Sequence, residues 1–173
     1  APFDVYLSAN EDFVKALVAS GHLDPATVKS YATGRLGLWS LSRNVKTINE
    51  LPGLRSVSMA NPKHAPYGMA AEQLLRSAGL LDRIQPKLVL AENVRQAFEF
   101  ARTGNADAVL TSWTLLYDKG GILLSDSGHK PIRQSGGVVK GAKNAADGQR
   151  FLDFLTGPKG QAILHAGGLF PPQ

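Results

Sequence analysis

The sequence predicts an α/β fold built on a mainly parallel sheet. Three observations carry this. Short apolar runs alternate with amphipathic helical stretches. Two of those runs lead through tight loops directly into helices, and Gly and Pro punctuate the connections. The 173 residues suffice for one sizeable core or two small lobes.

Taken in order, Asp4 to Ser8 reads as a short buried strand. A helix follows, with Ser8 or Asn10 as its N-cap, Glu11 and Asp12 in the positive first turn, and Phe13, Leu17 and Val18 as its apolar face. Gly21 ends it. Leu36, Leu38 and Trp39 lie in a strand, and Ser40 to Asn44 form a polar connector. A turn at Leu51 to Gly53 precedes a strand from Arg55 to Met59. The loop from Asn61 opens the helix that runs from Pro66 to Leu75, closed by Gly79. Pro86 precedes a strand from Lys87 to Leu90. Ala91 to Ala101 is a second strand-to-helix junction, with Val94, Ala97, Phe98 and Ala101 on one face and Gly104 as the stop. Asp107 to Thr111 is a third strand. Gly120-Gly121 breaks the chain before a strand from Ile122 to Leu124, and His129 to Val139 is an extended crossing segment. An amphipathic helix from Asn144 to Leu155, the Gly157-Pro158 break, a short helix and a terminal turn from Gly167 complete the chain.

Composition narrows the function. With 43% hydrophobic residues and a mean hydropathy of -0.10 the chain reads as soluble and globular. Its apolar runs fall far short of the ~20 residues of a membrane-spanning helix. It begins at Ala1 with no Met and no signal-peptide pattern, as expected of a processed, trimmed or partial chain. The absence of cysteine excludes disulfides and thiolate metal sites. His22, His129 and His165 lack metal-ligand spacing. The net charge of +5 comes from scattered Lys and Arg with no run of three, which suits attraction of small anions better than nucleic acid. No nucleophile elbow, Walker loop or His-Glu-x-x-His motif supports an enzyme, so no catalytic residues are assigned.

The chemistry concentrates at Asn61-Pro62-Lys63-His64-Ala65-Pro66-Tyr67-Gly68. A strand-loop-helix turn presents first-turn N–H groups at the positive end of a helix dipole, a ready seat for an oxyanion. Pro66 fixes the chain direction without an N–H of its own, and Gly68 lets an anion approach the backbone. The bland alternative is an ordinary turn between strand and helix. If the sheet is parallel, the loops after Met59, Leu90 and Leu110 face one crevice at the carboxyl ends of the strands.

These residues resemble the periplasmic molybdate-binding proteins of ABC importers, which have the type II solute-binding fold. The resemblance rests on Phe3-Asp4-Val5-Tyr6-Leu7-Ser8-Ala9-Asn10, the Asn61 to Gly68 loop, Ala91-Glu92-Asn93-Val94-Arg95 and Leu155-Thr156-Gly157-Pro158, and it runs over nearly the whole chain. It implies a two-lobed α/β periplasmic binding protein-like fold, with residues 1–40 and 131–173 as a partial lobe 1 and residues 41–130 as lobe 2. It implies a tetrahedral oxyanion, molybdate or tungstate, held by neutral donors between the lobes and handed to a membrane permease. By motif, Tyr67, Gly68 and Val94 would supply backbone contacts. Where some members use a tyrosine, this chain has Thr111 followed by Ser112, whose hydroxyls would either donate to the anion or cap the next turn. Tyr67 and Val94 have packing alternatives, Trp39 and Trp113 read as packing residues, and Lys63 and His64 as solvated loop residues.

Members of that family carry about sixty further residues, of the order of part of a lobe, before the Asp4 segment. The resemblance therefore implies an incomplete lobe 1, weak oxyanion binding by these residues alone, and association through a bare sheet edge at Asp4 to Ser8. The rival reading is the ligand-sensing domain of a transcription regulator on the same fold, which a DNA-binding helix-turn-helix ahead of it would mark.

Overall fold

The computed structural model describes residues 3–42 and 44–173. The connector expected over Ser40 to Asn44 includes Arg43, which lies outside the described residues, as do Ala1 and Pro2. The chain divides into two compact units. Unit 1 comprises Ala1–Gly34 and Ile132–Gln173, and unit 2 comprises Arg35–Pro131.

Unit 1 is organised on a three-stranded sheet of β1 (Val5–Ser8), β2 (Lys29–Gly34) and the long β8 (Ile132–Val138), in the order β1-β8-β2. Both pairings are antiparallel. The segment expected merely to cross is thus the central strand of the unit. Its paired glycines allow that: a Cβ on Gly136 would stand 2.4 Å from the Leu7 side chain and 2.6 Å from the Tyr6 carbonyl. β1 is half-buried rather than buried, with Leu7 39% exposed. β2 escapes the sequence reading because Lys29-Ser30-Tyr31-Ala32-Thr33-Gly34 has no clean apolar alternation.

Helix α1 (Glu11–Ala19) begins at Asn10, whose Oδ1 accepts the Asp12 N–H at 2.9 Å. Ser8 instead accepts the N–H of Asn10. The buried residue of α1 is Val14, with Leu17 and Val18 half-buried beside it as expected, whereas Phe13 is 47% exposed. Helices α5 (Ala145–Thr156) and α6 (Pro158–Ala166) complete the unit. Gly148 brings α5 onto the sheet, with its missing Cβ 3.0 Å from Val5 and 3.3 Å from Val138.

Unit 2 is built on a five-stranded sheet of β3 (Leu36–Trp39), β4 (Val57–Ala60), β5 (Leu88–Ala91), β6 (Ala108–Ser112) and β7 (Ile122–Leu123), in the order β5-β4-β6-β3-β7. β5, β4 and β6 run parallel; β3 and β7 are antiparallel additions. Parallel pairing therefore governs three strands of one sheet, not the whole molecule. The pairing of β3 with β6 and β7 also places Leu36 to Trp39 in unit 2, ahead of the 40/41 boundary expected from the sequence.

Helix α2 (Pro66–Ser77) follows β4, short α3 (Leu81–Ile84) precedes β5, and α4 (Val94–Arg102) links β5 to β6. The chain moves from β4 outward to β5, then back past β4 to β6. Right-handed crossovers in opposite directions put α2 and α4 on opposite faces. On the α4 face Trp39 meets Phe98 edge-on at 5.3 Å, over Ala97, Ala101 and Val109.

The strand starts are tied by charge. Arg55 forms a bidentate pair with Asp107, and the Asp107 carboxylate also accepts the Arg55 backbone N–H at 2.8 Å. The side-chain bonds from Arg55 first, and its backbone N–H second, hold the Asp107 carboxyl below its ordinary range. A lowered folded value means stability that is present above the unfolded pKa and lost as pH falls through the folded one. We expect urea stability to decline below about pH 4 and the decline to flatten in Asp107→Asn, which should also be less stable than the parent at neutral pH. Parallel stability–pH curves for the two proteins would show that this pair contributes nothing.

Candidate functional site

The candidate site is built at the carboxyl ends of the three parallel strands. Register aligns Met59 with Leu90 and Leu110, and Ala60 with Ala91. The ladder continues one step beyond the strands, with the Asn61 N–H donating to the Ala91 carbonyl at 2.8 Å. The loops after β4 and β5 therefore leave the same edge side by side. His64 ties them: its Nε2 lies 3.2 Å from the Glu92 carbonyl oxygen and 3.7 Å from the Glu92 carboxylate.

The first loop is short because Asn61 folds it. The Asn61 side chain accepts the Lys63 N–H at 3.0 Å, and its carbonyl accepts the N–H groups of His64 and Ala65. Ala65 then stands at the N-cap without a side-chain acceptor, and Pro66 is the first helical residue. The helical ladder starts with the Met69 N–H donating to Ala65 at 2.9 Å. Tyr67 and Gly68 carry the N–H groups ahead of it, at the positive end of the dipole. Tyr67 is buried, at 6% exposure.

The second junction is capped differently. Asn93 is extended, its Oδ1 accepts the Gln96 N–H at 2.9 Å, and the Gln96 side chain accepts the Glu92 N–H at 2.6 Å. This reciprocal arrangement is close to a capping box. It leaves Val94 and Arg95 as the first-turn residues whose N–H groups precede the capped turn.

Gly68 has a structural role that the sequence did not disclose. A Cβ there would lie 2.2 Å from the Ala60 carbonyl oxygen and 2.9 Å from the Asn61 carbonyl carbon. The bare face of Gly68 is turned to the end of β4, so its missing side chain lets helix and strand approach each other. This packing reason for glycine stands beside the expected one, the approach of an anion to its backbone N–H.

The hydroxyls of Thr111 and Ser112, expected either to donate to the anion or to cap the next turn, both have partners within the protein. Thr111, 1% exposed, donates to the Val94 carbonyl at 3.0 Å. That spends its only hydroxyl proton within the protein. Ser112, 2% exposed, is paired with the Thr114 hydroxyl at 2.8 Å. The structure thus brings Thr111 to Val94 and keeps Ser112 in its own turn. A residue missed by the sequence reading lies beside them: Ser58, fully buried on β4, donates to the Ala97 carbonyl at 2.8 Å. Its only sequence signal is a polar residue inside an apolar run.

Charge around the site is moderate. Unit 2 carries twelve Lys and Arg against eight Asp and Glu, a formal +4 of the chain's +5. Lys63 and Glu92 are exposed. Among the described residues no group of three His, Cys, Asp or Glu is placed to hold a metal ion.

Comparison with known proteins adds an independent line. The family model for the bacterial extracellular solute-binding proteins matches residues 1–170. The chain is 34% identical to the molybdate-binding protein ModA of Rhodobacter capsulatus over 174 residues, covering 97% of this chain and 69% of the relative. It is 33% identical to ModA of Azotobacter vinelandii, covering 97% and 71%. The solved structure of the Azotobacter vinelandii periplasmic molybdate-binding protein superposes with a TM-score of 0.91 at 30% identity, over 100% of this chain and 80% of the other.

The contact at Gly68 can be tested directly. Gly68→Ala should destabilise the protein, because forcing a group into filled space costs about 1–3 kcal/mol and a clash with a backbone carbonyl belongs at the upper end of that range. That outweighs the ~1 kcal/mol that alanine contributes through helix preference. A urea midpoint equal to or above the parent's would show that α2 can move off β4 freely.

Proposed function

The chain belongs to the bacterial extracellular solute-binding proteins, and from that membership we propose that it captures molybdate, or tungstate in its place, for an ABC importer. The relatives named above as molybdate-binding support the ligand class. The observation that carries the reading in this molecule is the convergence of two helix N-termini on one sheet edge, Tyr67 and Gly68 on α2 and Val94 on α4.

Capture proceeds without bond chemistry. Backbone N–H groups donate to the oxyanion's oxygens, and the two dipoles offset its charge without a fixed counter-ion. Such donors are oriented before the ligand arrives, so little ordering is needed on binding. Thr111 belongs to the site as a support rather than as a direct donor, because its one hydroxyl proton goes to the Val94 carbonyl, while Ser112 is paired with Thr114 in its own turn. The role is delivery to a membrane permease from the periplasm, the compartment named for the Azotobacter vinelandii protein. No helix of the described residues is long and apolar enough to cross a membrane.

Titration calorimetry of the natural full-length protein with molybdate, tungstate, sulfate and phosphate tests the reading. Molybdate and tungstate should bind most tightly, and failure of both to bind would remove it. If neutral donors dominate, Lys63→Ala should change molybdate affinity by less than about fivefold, since an exposed charge interaction contributes roughly 0–1 kcal/mol. A loss of a hundredfold would show that the lysine anchors the anion.

A further inference from the structure

We infer that Ser58 and Thr111 are positioning residues for the oxyanion seat, holding the first turn of α4 in register with the sheet edge. The inference rests on the oxyanion reading above and assigns its support. Both side chains lie on the α4 face of the sheet, on adjacent parallel strands. Ser58 on β4 is fully buried, and Thr111 on β6 is 1% exposed. Each reaches a carbonyl of α4: Thr111 donates to Val94 at 3.0 Å, and Ser58 donates to Ala97 at 2.8 Å. The carbonyls belong to residues three apart in sequence, and so to neighbouring points on one side of the helix.

A helix lying on a sheet through apolar contacts alone can slide by fractions of an ångström at little cost, because those contacts are non-directional. Hydrogen bonds are directional and weaken steeply with misalignment. Two of them, from two strands, fix both the height of α4 along β4 and β6 and its rotation. The residue they fix first is Val94, whose N–H stands at the tip of the helix. An anion held by backbone donors depends on those donors being placed to within about half an ångström.

Neither hydroxyl is needed to satisfy the helix. In an α-helix the Val94 and Ala97 carbonyls also accept the N–H groups four residues on. That redundancy separates positioning from folding. Removing a hydroxyl leaves each helical carbonyl with a partner, but removes the tie to the sheet.

The test measures molybdate affinity by calorimetry and apo-protein melting in the natural full-length protein, for the parent, Thr111→Val, Thr111→Ser and Ser58→Ala. Thr111→Val keeps the volume and loses the hydroxyl; Thr111→Ser keeps the hydroxyl. We expect Thr111→Val and Ser58→Ala to bind molybdate about tenfold or more weakly, the range found when groups that orient ligand-contacting residues are removed. Thr111→Ser should stay within about threefold of the parent. Backbone amide resonances of Val94 and Arg95 should shift in apo Thr111→Val and return in Thr111→Ser. Parent-like binding by Thr111→Val and Ser58→Ala overturns the inference, as does a Thr111→Ser protein as weak as Thr111→Val. A parent that binds no oxyanion removes the functional reading and this inference together, whereas a binding parent with unaffected variants overturns this inference alone.

Discussion

The structure of unit 2 depends on one constraint, the parallel pairing of β4 with a neighbour on each side. β4 shares registers with β5 and with β6, so three carboxyl ends lie level at one edge. From β4 and β5 the chain must cross over to reach the next parallel strand, and helices make both crossings. Two crossovers of opposite direction then carry α2 and α4 to opposite faces. Their N-termini converge because the strands before them are in register, not because the helices touch. At the far end of the strands Arg55 and Asp107 tie the starts of β4 and β6.

The approach of α2 is limited by sterics and that of α4 by hydrogen bonds. α2 comes so near β4 that only glycine fits at position 68. α4 is gripped by Ser58 and Thr111 and headed by the Asn93–Gln96 cap. These are two physical solutions to one problem, since both place backbone donors at a fixed height above the sheet edge. The Asn61 turn and the His64 bridge to Glu92 hold the intervening loops short.

Electrostatics play a broader and weaker part. Unit 2 carries most of the net positive charge, yet several of its cations face carboxylates: Arg55 with Asp107, Arg76 with Glu72, and Arg102 with Glu99. Such a surface raises the local concentration of anions without choosing among them. Glu92 lies near the two loops and opposes an incoming anion, but its side chain is 80% exposed and so screened by solvent and salt. On the function proposed above, discrimination among tetrahedral anions falls to the spacing of neutral donors, which charge alone cannot set.

The sequence by itself determined the order of the strands and the two longer helices in unit 2, though not short α3, because Leu-, Val- and Ala-rich runs and the signals at Pro66, Gly79 and Gly104 are local. It also marked the two junctions, since first-turn N–H groups exist wherever such a helix starts. It did not reveal β2, whose burial comes from its pairing with β8 rather than from its own pattern. It placed Leu17 and Val18 on the inner face of α1 but put Phe13 there in place of Val14, because the two are adjacent and only packing chose between them. The roles of Gly68, Thr111 and Ser58 lay beyond it altogether. A glycine's reason is the atom its Cβ would strike, and a hydroxyl's reason is the partner it finds. Those partners, Ala60, Val94 and Ala97, are 8, 17 and 39 residues away in sequence, and only the tertiary structure brings them within reach.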